Sequence, residues 1–206
     1  LSRMGTSPIP PSPFYDPSRE LATAVDEYQR AGDLGRLLDE LKALAKRTAP
    51  DILKSASAPY RDIPEVVIPI YERVVADSPD DAQAIVVLAN AYWLAGRGPA
   101  HVEQLADRAK SIDPANRGAW HLWALTESNL RKRVDRWHAV AKRFPADQLA
   151  RAALADNATS LAHDEDDAAA LQLAIDTYES LLKDATHTSQ RMALEHSLAA
   201  LRKAGR

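Results

Sequence analysis

Ser78-Pro79-Asp80-Asp81-Ala82-Gln83, Asp113-Pro114-Ala115-Asn116-Arg117-Gly118 and Phe144-Pro145-Ala146-Asp147-Gln148-Leu149 punctuate the middle of this chain. Each proline closes an apolar stretch of helical spacing. A polar pair and a further stretch of the same spacing follow. Proline ends a helix because it lacks an N–H and its ring clashes with the preceding turn. The three prolines lie 35 and 31 residues apart. A period of about 34 residues with this punctuation predicts stacked helix–turn–helix units, not a closed globule.

Within each unit the residues recur in register. The first helix reads large, large, small, aromatic at Ile85, Leu88, Ala89 and Tyr92, then at Trp120, Trp123, Ala124 and Glu127, then at Arg151, Leu154, Ala155 and Ala158. An earlier version is Leu21, Ala24, Val25 and Tyr28. Steps of three and four place these residues on one helical face. The small residue lets the paired helix approach, so Ala89, Ala124 and Ala155 are expected contact points. A larger side chain there overpacks the joint, at a cost of about 1–3 kcal/mol. The second helix carries Val67, Tyr71 and Val74 before Pro79, Val102, Ala106 and Ala109 before Pro114, and Arg133, Trp137 and Val140 before Pro145. Leu37, Leu41 and Leu44 precede Pro50, which falls one residue late, and Ala174, Tyr178 and Leu181 have no following proline.

This pattern resembles the tetratricopeptide repeat (TPR) family. The match is best over 82–114, at Leu88, Ala89, Tyr92, Gly96 and Pro114, and extends in degraded form over 20–186. It departs from the family by an insertion near 96–99, a short turn after Asn129, a shortened first helix at 51–57, and Glu127 in place of an aromatic. The resemblance implies an all-α fold, a right-handed α-solenoid of antiparallel helix pairs with a C-terminal capping helix. Helices are expected at 18–31, 34–48, 51–57, 63–77, 81–95, 99–112, 116–129, 132–143, 147–162, 167–184 and 188–203. Asp51, Asp81, Asp147 and Ser189 suit helix N-termini, where a side-chain oxygen accepts from free backbone N–H groups. The last helix sets Met192, Leu194, Leu198 and Leu201 against Arg191, Glu195, Arg202 and Lys203, which reads as a wet terminal cap, with a docking helix for a partner as the other reading.

The domain reading is a proline-rich lead-in over 1–17 followed by one repeat domain over 18–206. Five of the 13 prolines fall in the lead-in, which reads as an extended linker, with docking on a proline-recognising domain as the other reading. Phe14 and Tyr15 are expected to pin its end to the first helix. Leu1 in place of Met leaves a processed, tagged or fragment terminus open. The absence of cysteine excludes disulfides and thiolate metal sites without fixing the compartment. A cytoplasmic location is favoured, and a periplasmic or secreted one follows if an upstream signal was removed. No apolar run reaches the length of a membrane span.

Catalytic motifs are lacking: there is no G-x-S-x-G, no glycine-rich phosphate loop, no H-E-x-x-H and no C-x-x-C. The chain is therefore read as a non-enzyme without cofactor or metal. The acidic run 163–167 is read as a solvated loop whose last acids cap the following helix, since it lacks the alternation and glycine of a calcium loop. Charge is uneven, at −4 over 1–96, +5 over 97–151 and −4 over 152–206. The basic stretch centres on Arg131, Lys132, Arg133 and Arg136. It is read as a solvated helix face, with an acidic protein preferred over nucleic acid as its partner because Asp135 interrupts it and the chain is acidic overall.

The resemblance implies that the concave groove binds a protein partner through first-helix positions facing away from the paired helix. Here these are Gln83, Val86, Asn90 and Trp93, then His121, Leu125 and Ser128, then Ala152, Asp156 and Thr159. Family members that clamp a C-terminal carboxylate use lysine, arginine and asparagine there. Only Asn90 is present in this chain, so no such clamp is expected. Trp93 is read either as a partner anchor or as packing between units. The function read is a protein-interaction module or scaffold. The alternatives are a nucleic-acid accessory protein using 131–143, and a non-catalytic subunit or fragment of a larger enzyme.

Overall fold

A computed structural model of the chain describes residues 15–204. Of the described residues 82% are helical, and none is in a strand. Eleven α-helices follow one another: α1 Pro17–Ala31, α2 Leu34–Arg47, α3 Pro50–Ser57, α4 Pro64–Asp77, α5 Ala82–Leu94, α6 Pro99–Ile112, α7 Arg117–Leu125, α8 Leu130–Arg143, α9 Gln148–Glu165, α10 Ala168–Asp184 and α11 Thr188–Ala204. A 3₁₀ turn at Ala58–Tyr60 follows α3. They divide into two compact units that part between Asp80 and Asp81.

In the first unit α1 packs on α2 and α3, α2 on α4, and α3 on α4. Leu21, Val25, Leu37, Leu41, Leu53, Val67, Ile70 and Tyr71 fill its interior. Burying each such side chain contributes about 1.5–3 kcal/mol. Gly32 turns the chain from α1 into α2 with φ 70°, and its N–H closes α1 on the Tyr28 carbonyl. That left-handed conformation is cheap only without a Cβ. Tyr15 is held on the end of α2 rather than on the first helix, its hydroxyl bonded to Thr48 and its ring under the Arg47 guanidinium. Phe14 and residues 1–13 of the lead-in lie outside the described residues.

In the second unit each helix packs on the next, from α5 through α11. The joints form where the small residues fall: Ala89, Ala124 and Ala155 are fully buried. Ala89, Val102, Ala106 and Leu122 make one apolar cluster, and Trp137, Val140, Leu154, Ala158, Tyr178, Leu181 and Leu198 belong to a second. Trp123 packs against both.

Helix starts follow side-chain chemistry. Asp81 accepts from the Ala84 N–H at 2.9 Å, and Asp147 from Leu149 and Ala150 at 3.1 and 3.2 Å. Two expected caps are corrected. Ala49 stands at the cap of α3 without a side-chain bond, and Asp51 lies inside the first turn, paired with Lys54 at 2.8 Å. Pro50 sets the start instead, because its fixed φ suits the first helical position. Ser189 also lies inside its helix, which opens at Thr188.

Two helix ends move as well. α7 stops at Leu125 rather than 129, because Asn129 turns out to cap α8 through the Lys132 N–H and Glu127 accepts from the Asn129 N–H. α9 runs on to Glu165 and ends on Asp166 in the left-handed region, φ 52°. Asp167 then caps α10, with the Ala169 and Ala170 N–H groups both at 2.9 Å. α11 buries Leu198 and Leu201, but Met192 points outward at 64% exposure.

Candidate functional site

The first helices of the second unit (α5, α7, α9 and α11) carry its exposed apolar surface. Among the described residues six large apolar side chains are exposed there: Trp93, Leu94, Leu125, Leu149 and Met192 lie on first helices, and Ile112 lies on a second helix. α5 has no Asp, Glu, Lys or Arg, and α7 has only Arg117. A face so poor in charge is unusual on a surface helix, whose outward side is normally polar.

The expected groove residues separate into two sets. Gln83, Val86 and His121 are drawn into the seams between successive first helices. The Gln83 side-chain oxygen accepts from the Asn116 amide at 3.2 Å, across the α5–α7 seam. Val86 is half-buried, and its Cγ1 stands 2.9 Å from where a Cβ on Gly118 would sit. His121 bridges α7 to the cap of α9, its Nε2 2.6 Å from Asp147 Oδ2 and its ring edge-on to Trp137 at 5.3 Å. Asn90, Trp93 and Leu125 remain outward. Trp93 is 38% and Leu125 39% exposed, and the Asn90 amide is exposed with no partner among the described residues. In the next unit Ala152 is half-buried, the Thr159 hydroxyl donates to the Ala155 carbonyl, and the Asp156 carboxylate accepts from Tyr178 at 2.5 Å. Burial, then that bond, pushes the Tyr178 hydroxyl up to about 12.

The residues missed from sequence are Leu94 and Leu149 on the outward face and Asp147 as a hub. Asp147 is nearly inaccessible, at 3% side-chain exposure, yet it caps α9, meets His121 and lies 3.7 Å from the Arg117 Nε. Burial pushes its carboxyl up, but the Ala150 N–H, His121 and Arg117 outweigh burial and hold it below the usual carboxylate value. The signal for the cap was present in the sequence. The signal for the hub was not, because its partners lie 26 and 30 residues away.

The basic stretch is largely spent inside the molecule. Arg131 pairs with Glu165 at 2.5 Å and Asp167 at 2.8 Å. Arg133 is half-buried, donating to Asn157 at 2.8 Å and the Glu127 carbonyl at 3.0 Å. Arg136, 19% exposed, meets Glu103 at 2.6 Å, Glu127 at 3.0 Å and the Trp123 carbonyl at 2.7 Å, and stacks on the Trp123 ring. Lys132 is exposed. The expectation of a solvated face is therefore corrected for Arg133 and Arg136, whose guanidiniums are bonded to acceptors within the chain. Glu127 occupies the usual aromatic position as the partner of Arg136. The Asn129 N–H, aided by Arg136 and Lys132 against burial, holds its carboxyl below the ordinary range.

Among the described residues no cluster of His, Asp or Glu has the geometry to hold a metal ion, and no helix is long and apolar enough to cross a membrane.

The fold is TPR-like. The chain is similar to a thermophilic TPR protein of Thermus thermophilus, with TM-score 0.51, 17% identity, and coverage of 90% of this chain and 98% of that one. It is similar to a tetratricopeptide repeat protein from Parabacteroides merdae, with TM-score 0.57, 13% identity, and coverage of 94% and 75%. It is also similar to MamA, with TM-score 0.55, 16% identity, and coverage of 77% and 96%. No protein-family model matches the sequence, and no curated protein matches it.

Proposed function

We propose that the protein is a non-catalytic scaffold that binds a segment of a partner protein on the outward face of α5 and α7. Asn90, Trp93, Leu94 and Leu125 make the contact, and Val86 and His121 support it from the seams. One observation carries this reading: the exposed apolar residues of the second unit gather on its first helices, and α5 offers no charge at all. An apolar strip with one free amide suits a partner that brings apolar side chains and one backbone hydrogen bond. Large aromatics in such strips supply much of the binding energy at interfaces.

The basic stretch offers no comparable surface. Arg131, Arg133 and Arg136 already have acceptors within the chain. Affinity capture with the intact protein, run beside a Trp93→Ala variant of equal melting temperature, tests the proposal. A partner retained by the parent and lost from the variant supports it. A partner retained equally by both removes α5 from the interface.

A further inference from the structure

We propose that the segment accepted by this face is apolar and acidic, with carboxylates that pair with Arg117 and Arg97. The inference rests on the binding face described above and names the chemistry of its occupant. It follows from which charges on the first-helix side are already spent. α5 and α7 carry no carboxylate, and the two of α9 nearest in the fold are occupied: Asp147 is buried under His121 and the α9 cap, and Asp156 accepts the Tyr178 hydroxyl. Two cations beside α5 and α7 are open. Arg117 is 62% exposed and only loosely paired, its Nε 3.7 Å from Asp147. Arg97, just beyond α5, is exposed and stacks on the Tyr92 ring at 5.6 Å, with no ion pair among the described residues.

These two arginines stand at opposite ends of the charge-free strip. Arg117 opens α7 beside Gly118, which meets Val86 of α5. Arg97 follows the end of α5 that carries Trp93 and Leu94. A guanidinium held against an aromatic ring keeps its donor fork in place, so less freedom is lost on meeting a carboxylate. Neither arginine lies at a position where the resembled family clamps a terminal carboxylate. The occupant is therefore an internal or terminal stretch with Asp or Glu side chains flanking apolar ones. A basic segment meets like charge at both ends.

The test is selection of random linear peptides displayed on phage against the intact full-length chain. Binding of the selected peptides is then measured by fluorescence anisotropy. Peptides combining aromatic or leucine residues with Asp or Glu are expected. They should weaken about 30-fold on Trp93→Ala. They should weaken roughly two- to fivefold on Arg117→Glu and on Arg97→Glu, the size of one exposed ion pair each, and lose affinity with added salt. Peptides that need Trp93 but show no acidic excess, and ignore both arginine variants, overturn the acidic occupant and leave the binding face standing. Peptides indifferent to Trp93→Ala and Asn90→Ala overturn the face itself. A selection that enriches nothing counts against both.

Discussion

Removing the Arg136 guanidinium leaves the Glu127 carboxylate, only 13% exposed, without its principal cation, and leaves Glu103 and the Trp123 carbonyl without their donor. Arg136→Ala is expected to lower stability by about 1–3 kcal/mol, the scale of leaving a largely buried polar group unsatisfied. Lys132→Ala on the exposed side of the same helix should change little. Urea midpoints of the two variants check this, and equal midpoints would show that Arg136 is an ordinary surface cation. Asp147 gives a pH-dependent counterpart. Its folded carboxyl binds a proton less readily than the unfolded one, whose ordinary value is 3.8. Its contribution is therefore complete above that value and is lost as pH falls through the lower folded value. The stability gap between the parent and Asp147→Asn should be widest near neutral pH and shrink on acidification below about pH 4. Thermal melts across that range measure it, and a gap that grows on acidification reverses the assignment.

At the scale of helices, Gly118 controls how closely α7 lies against α5. A Cβ there meets Val86 Cγ1 at 2.9 Å. Alanine favours helix over glycine by roughly 1 kcal/mol, but a β-branched valine in a packed seam has little room to give. Gly118→Ala is expected to destabilise, and Val86→Ala in the same chain to recover part of the loss. A double-mutant cycle by urea unfolding reads the coupling, and simple additivity would place the two residues apart. The same seam shows what the sequence disclosed. Helix pairing was legible because Ala89, Ala124 and Ala155 recur in register and prolines close the second helices. Those signals are local, with periods of three, four and about 34 residues. The outward direction of Asn90, Trp93 and Leu125 followed from the same register. The roles of Arg133, Arg136 and Asp147 did not, because each depends on a partner brought near only by folding. Composition shows the charges of 131–143 without showing that Glu103, Glu127, Asn157 and Glu165 consume them. The length of α9 was missed for a related reason: acids in a last turn oppose the helix dipole, and the Arg131–Glu165 pair that meets one of them forms between residues 34 apart.

At the scale of the whole molecule, the reading proposed for a TPR-like fold with no formal charge along α5 is that it binds other proteins rather than polyanions. Short RNA or DNA should form no stable complex with it near physiological salt. Sub-micromolar binding that disappears on reversing Arg131, Lys132 and Arg133 would refute that expectation. The binding face stands or falls on one titration. Binding of the captured partner to the parent, Trp93→Ala and Asn90→Ala proteins is measured by calorimetry, with melting temperatures shown to be unchanged. Trp93→Ala is expected to weaken binding about 30-fold, the effect of truncating an interface anchor, and Asn90→Ala by a smaller but measurable factor. If both variants bind as the parent does, the partner does not occupy the outward face of α5, and the scaffold works through another surface.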